Sequence, residues 1–287
     1  MTKVNIPAIS IVMPVYNSAL YLKECMDSII SQSFKDFELI VLDDGSTDNS
    51  VEILQSYKDS RIQLVLCEHD FIRTLNRGIN MAKGKYIARM DADDIMCTNR
   101  LEVEHDFMEK NPLIDVCGSS VQFFGERNQR PAIFTHHNDI ASILIQYGCF
   151  FHPTIIMRRK KIAETYLSNE KQELYNPAYK YAEDYHLWTD MVIKGFKFAN
   201  IPQVLLYQRL SEGQVTSIHK DEMNRLGEKI RIIMAEFIAC TIINSNDKQL
   251  IIKYEQSFDM FTNNFISRST FYKIISNLYR YYLNTTD

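Results

Sequence analysis

Residues 86–94 read Tyr86-Ile87-Ala88-Arg89-Met90-Asp91-Ala92-Asp93-Asp94, an apolar run that ends in three carboxylates. A short apolar run with polar punctuation at its end is typical of a buried strand in a parallel sheet. Carboxylates crowded at one strand end disfavour each other's ionised form unless a cation neutralises them. The stretch therefore predicts a strand followed either by a divalent-cation site or by a solvated acidic loop leading to a helix capped by Thr98.

Three more apolar runs precede this strand and alternate with segments of helical spacing. The predicted strands are residues 9–15, 37–42, 61–66 and 85–90. Apolar residues between them recur every three or four positions, as in Leu22, Cys25, Met26 and Ile29, which predicts helices that each lay one face on the sheet. The alternation predicts an α/β fold with a mostly parallel, Rossmann-like nucleotide-binding sheet.

Polar residues follow the predicted strands at their carboxyl ends. They are Tyr16 and Asn17, residues 43–48, and residues 91–94. Because ligands bind at this edge in open α/β sheets, we expect the three clusters to share one site. Carboxylate oxygens in such a site suit Mg²⁺ or Mn²⁺. The structural alternative for residues 43–48 is a turn followed by a helix N-cap.

The second half of the chain has a mixed pattern. It predicts strands at 114–124, 154–158 and 204–210 and a helix at 183–194 capped by Gly195. The pattern then becomes helical. We therefore predict one domain over residues 1–218, with a nucleotide-binding half at about 1–113 and a mixed half at about 114–218 that shapes the second substrate's pocket. A helical C-terminal extension follows over 219–287.

Composition excludes several classes of protein. With 46% hydrophobic residues among 287, the chain buries a sizeable core. A net charge of -4 and a pI near 6.0 give no electrostatic drive toward nucleic acid, so we expect no nucleic-acid partner. The six cysteines lack paired spacing, and no apolar run approaches the roughly 18 residues of a membrane span. These features predict a cytoplasmic location.

Three motifs stand in a fixed order: IVMPVYN at residues 11–17, DDGSTD at 43–48 and ARMDADD at 88–94. This ordered set resembles the family 2 glycosyltransferases. Further motifs, LNRGI at 75–79, HPT at 152–154 and AEDYHLW at 182–188, are similar to those of bacterial lipopolysaccharide and capsule sugar transferases. The resemblance covers roughly residues 8–217.

The resemblance implies the glycosyltransferase A fold and a metal-dependent, inverting transfer of a hexose or N-acetylhexosamine from a UDP-sugar. The implied acceptor is an oligosaccharide or lipid-linked glycan of lipopolysaccharide, capsule or another cell-surface polysaccharide. By motif matching, Asp184 is the general base and Asp93 ligates Mn²⁺ or Mg²⁺. The implied donor-binding residues are Pro14, Tyr16, Asp43, Asp44, Arg77 and Asp91, and the implied acceptor-binding residues are Glu183, Trp188 and His152.

Several of these positions also have a purely structural interpretation. Glu183 and Asp184 fit an acidic first helical turn that the helix dipole favours. Trp188 fits a protein core, and His152 fits a buried histidine with a hydrogen-bond partner. Two other functions stay open: a sugar-nucleotide nucleotidyltransferase, which would need a glycine-rich basic phosphate loop near the amino terminus, and a non-catalytic glycan-binding protein of the same fold.

The chain departs from the family pattern near the end of the predicted domain. Relatives often carry Arg-x-His-x-x-Gln-x-Ser, and here Ser211 stands in place of that histidine, which leaves His219 as a candidate substitute. The C-terminal helices combine aromatic residues with Lys273 and Arg280. This composition fits a peripheral contact with the cytoplasmic face of the inner membrane, a homodimer contact, or packing on the catalytic domain.

Overall fold

The computed structural model describes residues 6–168, 172–211 and 219–286. Its strands are β1 (Ile9–Val15), β2 (Phe37–Asp43), β3 (Ile62–Leu66), β4 (Tyr86–Arg89), β5 (Ile95–Met96), β6 (Val116–Gly125), β7 (Ile156–Arg158) and β8 (Phe198–Leu210). Its α-helices are α1 (Ala19–Ile30), α2 (Ser50–Ser56), α3 (Phe71–Met81), α4 (Arg100–Lys110), α5 (His137–Ile143), α6 (Arg159–Ile162), α7 (Glu183–Ile193), α8 (Lys220–Ile243), α9 (Lys248–Thr262) and α10 (Arg268–Thr286).

The described strands form one sheet in the order β3-β2-β1-β4-β7-β6-β8-β5. β1 pairs in parallel with β2 and β4, and β2 pairs in parallel with β3. β7 then runs antiparallel to both β4 and β6, whereas β8 is parallel to β6 and antiparallel to β5. A parallel half followed by a mixed half confirms the predicted α/β class.

Successive residues of β1 enter apolar cores on opposite faces of the sheet. Val12 packs in a core that includes Ile79 of α3, and Met13 packs in another that includes Leu22 of α1. Every residue of β1 is buried. Side chains alternate across a strand, so a strand covered on both faces is apolar at most positions, as in ISIVMPV. The buried Ser10 in this run donates its hydroxyl to Glu38.

The C-terminal helices share a core with the sheet. Met234 of α8 and Ile275 of α10 belong to the same apolar cluster as Val12 of β1. The hydroxyl of Ser276 in α10 also donates to the carbonyl oxygen of Ser142 in α5 at 2.7 Å. The extension therefore packs on the rest of the chain. Within the described ranges, no helix is both long enough and apolar enough to cross a membrane.

Element boundaries follow the sequence pattern in some places and differ in others. α7 begins at Glu183, and Gly195 beyond its end has a φ of +76°, as a glycine C-cap requires. The cap predicted at Thr98 is wrong, because α4 begins at Arg100 with Asn99 at the N-cap. The short strand β5, which pairs with β8, delays the helix. The predicted domain boundary at residue 218 lies outside the described residues.

Candidate active site

Three carboxylates follow β4 and lie together beside the carboxyl edge of the parallel strands. One carboxylate oxygen from each of Asp91, Asp93 and Asp94, here called the β4 carboxylates, lies within 4.8 Å of the other two. Burial, followed by the charge of Asp91, raises the pKa of Asp93 to about 6 and that of Asp94 well above its ordinary value. Oxygen ligands held this close suit a divalent cation, which would favour their ionised forms.

Asp94 tests whether the β4 carboxylates fit a metal ion. Its Oδ1 accepts a hydrogen bond from the backbone N–H of Arg209 at 2.8 Å. Its Oδ2 is buried and has no hydrogen-bond partner among the described residues. A buried carboxylate oxygen without a donor is costly unless a cation or a proton satisfies it. The three side chains together fit Mg²⁺ or Mn²⁺, which is a wider ligand set than the single Asp93 that the resemblance implies.

Arg89 is a buried cation between the β4 carboxylates and the start of α7. Its side chain is almost inaccessible and forms an ion pair with Asp91. Its charge lowers the pKa values of Asp93, Glu183 and Asp184 and so opposes the effect of burial. One guanidinium therefore acts on both acidic groups. Arg89 was predicted as part of a strand and of the motif at 88–94 but not as a site residue, although a charged residue inside an apolar run was a usable signal.

Two further arginines that sequence analysis did not assign to the site hold the acidic loop. Arg100 is fully buried, pairs with Glu104 at 2.8 Å, and donates from Nη2 to the carbonyl oxygen of Arg89 at 3.0 Å. Arg209 lies between two aromatic rings and donates from Nε to the carbonyl oxygen of Asp93 at 3.0 Å. The two hydrogen bonds to backbone carbonyl oxygens fix the segment that carries the β4 carboxylates.

Asp43 and Asp44 end β2 in different surroundings. The Oδ1 of Asp44 accepts from the backbone N–H of Asp70 at 3.0 Å and from the hydroxyl of Thr74 at 2.5 Å. The Oδ2 of Asp43 accepts from the backbone N–H of Ser46 at 3.2 Å, whereas its buried Oδ1 has no partner in the part of the chain that the structure describes. Asp44 therefore anchors the start of α3 through Oδ1, while its buried Oδ2 lies 2.9 Å from Nδ1 of His69 and has no hydrogen bond among the described residues. Asp43 keeps an acceptor for a ligand.

Tyr16 lies just beyond β1 and is 46% exposed. The ring of His69 stacks on it with centroids 4.3 Å apart, and Nδ1 of His69 lies 2.9 Å from the carbonyl oxygen of Asp44. A carbonyl oxygen only accepts hydrogen bonds, so Nδ1 carries a proton. Pro14 is buried inside β1 beside this edge. His69 was not predicted as a site residue, because it belongs to none of the sequence motifs.

Arg77 lies on α3, where the structure gives it other partners. Its Nη1 donates to the carbonyl oxygen of Leu66 at 3.3 Å and to Sγ of Cys67 at 3.4 Å. With Arg73 it lines a surface cavity of about 550 Å³ that is also lined by Gln172, Glu173 and Pro177. Its contacts in the described part of the chain do not include the β4 carboxylates, so its assignment to the donor stays a prediction.

Glu183 and Asp184, here called the α7 pair, open helix α7. Burial and the charge of Asp184 raise the pKa of Glu183 to about 7. Burial also raises the pKa of Asp184, whose Oδ1 accepts from the backbone N–H of Tyr185 at 2.7 Å. The negative charge of Asp91 contributes to that rise, which places the two acidic groups within electrostatic reach. A carboxylate whose pKa is raised toward neutrality is suited to general base catalysis.

His152 and Trp188 are buried together rather than exposed to a substrate. The Trp188 side chain is 0% exposed and packs against Phe150 with centroids 5.2 Å apart. Its indole has no free face for a sugar ring, so the structural interpretation of Trp188 is the one observed. Nε2 of His152 lies 2.8 Å from the hydroxyl of Tyr175, and burial lowers the pKa of His152 well below its ordinary value.

His219 lies outside the β4 carboxylate group within the described part of the chain. Its ring instead stacks on Tyr181, with centroids 3.9 Å apart and planes 11° from parallel. Ser211 is the last described residue before the gap, and residues 212–216, which complete the altered family motif, lie outside the described residues.

The chain is similar in sequence and in fold to several known proteins. The sequence profile of Glycosyl transferase family 2 matches residues 10–167. An uncharacterized glycosyltransferase of Haemophilus influenzae is 34% identical over 245 residues, 79% of this chain and 73% of that protein. The O-antigen biosynthesis glycosyltransferase WbnJ of Escherichia coli is 29% identical over 70% of this chain and 79% of its own length. The crystal structure of S. aureus TarS 1-349 in complex with UDP-GlcNAc aligns with a TM-score of 0.64 at 20% identity, over 88% of this chain and 72% of that one.

Proposed function

Because this chain belongs to glycosyltransferase family 2, we propose that it transfers a hexose or N-acetylhexosamine from a UDP-sugar to a glycan acceptor, with inversion and with a divalent metal ion. The observation that carries the proposal is the placement of the β4 carboxylates and the α7 pair around the buried cation Arg89. The β4 carboxylates would hold a divalent metal ion that supplies charge stabilisation to the diphosphate, and the α7 pair fits a base for the acceptor.

The donor is assigned to the carboxyl edge of β1, β2 and β4. The unpartnered oxygen of Asp43, counted among the described residues, is suited to accept the imide N–H of uracil, and Tyr16 offers an aromatic ring beside it. Asp91 is assigned to the ribose or the donor sugar as well as to the metal. TarS, which shares the fold, was crystallised with UDP-GlcNAc, and this supports a UDP-sugar as donor.

Asp184 is assigned as the general base. Its carboxylate takes the proton of the acceptor hydroxyl as that oxygen attacks the anomeric carbon from the side opposite the diphosphate. The bond from the anomeric carbon to the diphosphate oxygen breaks, its electron pair leaves with UDP, and the configuration inverts. Mg²⁺ or Mn²⁺ bound by the β4 carboxylates would supply charge stabilisation to the leaving diphosphate.

The acceptor is assigned to the class of cell-surface polysaccharides. The similarity to WbnJ, described as an O-antigen biosynthesis enzyme, supports this class. Glu183 lies beside Asp184 and is assigned to the acceptor side of the cleft. A cytoplasmic location with peripheral contact at the inner membrane, beside a lipid-linked acceptor, belongs to the same proposal. The exposed side chains of Phe258 and Phe265 in the C-terminal extension support that contact.

The test is a panel of UDP-sugars scored for UDP release with Mn²⁺, with Mg²⁺ and with a chelator. We expect turnover with at least one donor and one metal, and a fall of ~10²- to 10⁴-fold in kcat for Asp184→Asn. Asp93→Asn should raise the metal-ion concentration needed for half-maximal turnover. Asp106→Asn removes an exposed carboxylate on α4 and serves as the matched control.

Two results would contradict the proposal. Unchanged turnover in Asp184→Asn would exclude that residue as the base. Metal-dependent UDP binding by calorimetry, without turnover of any donor and acceptor, would instead support the non-catalytic glycan-binding alternative.

A further inference from the structure

The segment that leads into α7 has an unusual backbone conformation. Tyr181 has a φ of +76°, a left-handed conformation that bulky side chains rarely adopt. The backbone N–H groups of Glu183 and Tyr181 lower the pKa of Glu183 and so partly oppose the effect of burial. The next residue, Ala182, donates to the carbonyl oxygen of Tyr179 at 2.8 Å and accepts from the backbone N–H of His186 at 2.9 Å. The direction of the α7 pair therefore depends on this turn being held.

Residues of the C-terminal extension hold the turn at Tyr181 and Ala182 in place. The ring of His219, the residue before α8, lies parallel to that of Tyr181 with centroids 3.9 Å apart. Leu226 and Ile230 of α8 form a small apolar cluster with Ala182, separate from the two main cores. One ring stack and one apolar cluster thus fasten both residues that precede Glu183 to the same helix.

From these contacts we propose that the start of the C-terminal extension is part of the catalytic apparatus, with His219 acting as a positioning residue that holds the α7 pair through Tyr181. This inference rests on the proposed function in taking Asp184 as the base. It assigns to His219 a role through its aromatic face, not through a nitrogen that binds metal or diphosphate. It also explains why the extension packs against the catalytic half.

The experiment compares His219→Ala with His219→Phe in the full chain. Phenylalanine keeps the ring stack and lacks a metal ligand, so it should retain kcat within about twofold. Alanine removes the stack, and kcat should fall by about 10- to 100-fold, the effect expected when a reacting group is displaced. The KM for the UDP-sugar and the Mn²⁺ concentration for half-maximal activity should stay unchanged in both variants. His105→Ala, which removes another half-buried histidine whose ring packs at a tilt against Phe34, is the control.

Hydrogen exchange supplies a readout that does not depend on activity. His219→Ala should speed amide exchange at Ala182 and His186, whereas His219→Phe should leave exchange at these amides slow. Wild-type kcat and slow exchange in His219→Ala would overturn the inference. Equal loss of activity in His219→Phe and His219→Ala, with a raised metal requirement, would overturn it in favour of a ligand role. If the wild-type chain turns over no UDP-sugar, the proposed function fails. The exchange data still test whether His219 holds the turn at Tyr181.

Discussion

Replacing Glu183 by glutamine should stabilise the protein at neutral pH. Burial and Asp184 raise the pKa of Glu183 from an ordinary 4.5 to about 7 in the folded chain. The folded chain therefore binds more protons than the unfolded chain between these values, and the free energy of unfolding falls as pH rises through that window. At about 1.4 kcal/mol per pH unit, the ionised carboxylate lowers the free energy of unfolding by about 3 kcal/mol above pH 7. Glutamine carries no charge and so has no such cost.

The assay is urea unfolding of the metal-free protein, followed by circular dichroism at pH 4.5 and pH 8. We expect Glu183→Gln to exceed the wild type by up to about 3 kcal/mol at pH 8 and to match it near pH 4.5. Glu255→Gln, at an exposed position on α9, should show no such difference between the two pH values. A loss of stability in Glu183→Gln at pH 8, or a gain of equal size at both pH values, would refute the argument from burial.

Three further perturbations test the packing that supports the site. Gly78→Ala should destabilise the chain by about 1 to 3 kcal/mol in thermal unfolding, because a Cβ there would lie 2.5 Å from a β1 side chain, whereas Gly227→Ala in α8 meets its nearest atom at 3.6 Å and should stabilise by about 0.5 to 1 kcal/mol. Glu104→Ala leaves Arg100 buried without its partner and should cost about 3 to 5 kcal/mol in urea unfolding, with a much smaller cost when Arg100→Met is combined with Glu104→Leu. Asp44→Ala should cost about 1 to 3 kcal/mol by leaving buried donors unpaired, and intact stability would contradict its anchoring role.

The fold and the acidic clusters were predictable because their signals are local. β1 occupies the predicted residues, and β2 extends one residue beyond its prediction, to Asp43. A strand buried on both faces is apolar at most positions, which makes it easy to locate in a sequence. The β4 carboxylates follow their strand directly, so chain connectivity alone brings Asp91, Asp93 and Asp94 together. The extent of α7 was also predictable, because helical spacing indicates the helix and Gly195 marks its end.

The roles of individual side chains around those clusters were decided only by the tertiary structure. Asp43 and Asp44 are neighbours of identical chemistry, but Oδ1 of Asp44 accepts from donors 26 and 30 residues further along, whereas Oδ1 of Asp43 has no partner within the described part of the chain. Trp188 proved to be core, and Arg89 proved to lie between two acidic groups, because burial depends on what other elements pack against a position. The ring stack of His219 on Tyr181 joins residues far apart in sequence. Local patterns thus determine which elements form and where charge gathers, and contacts between distant segments determine which of those charges remain available for chemistry.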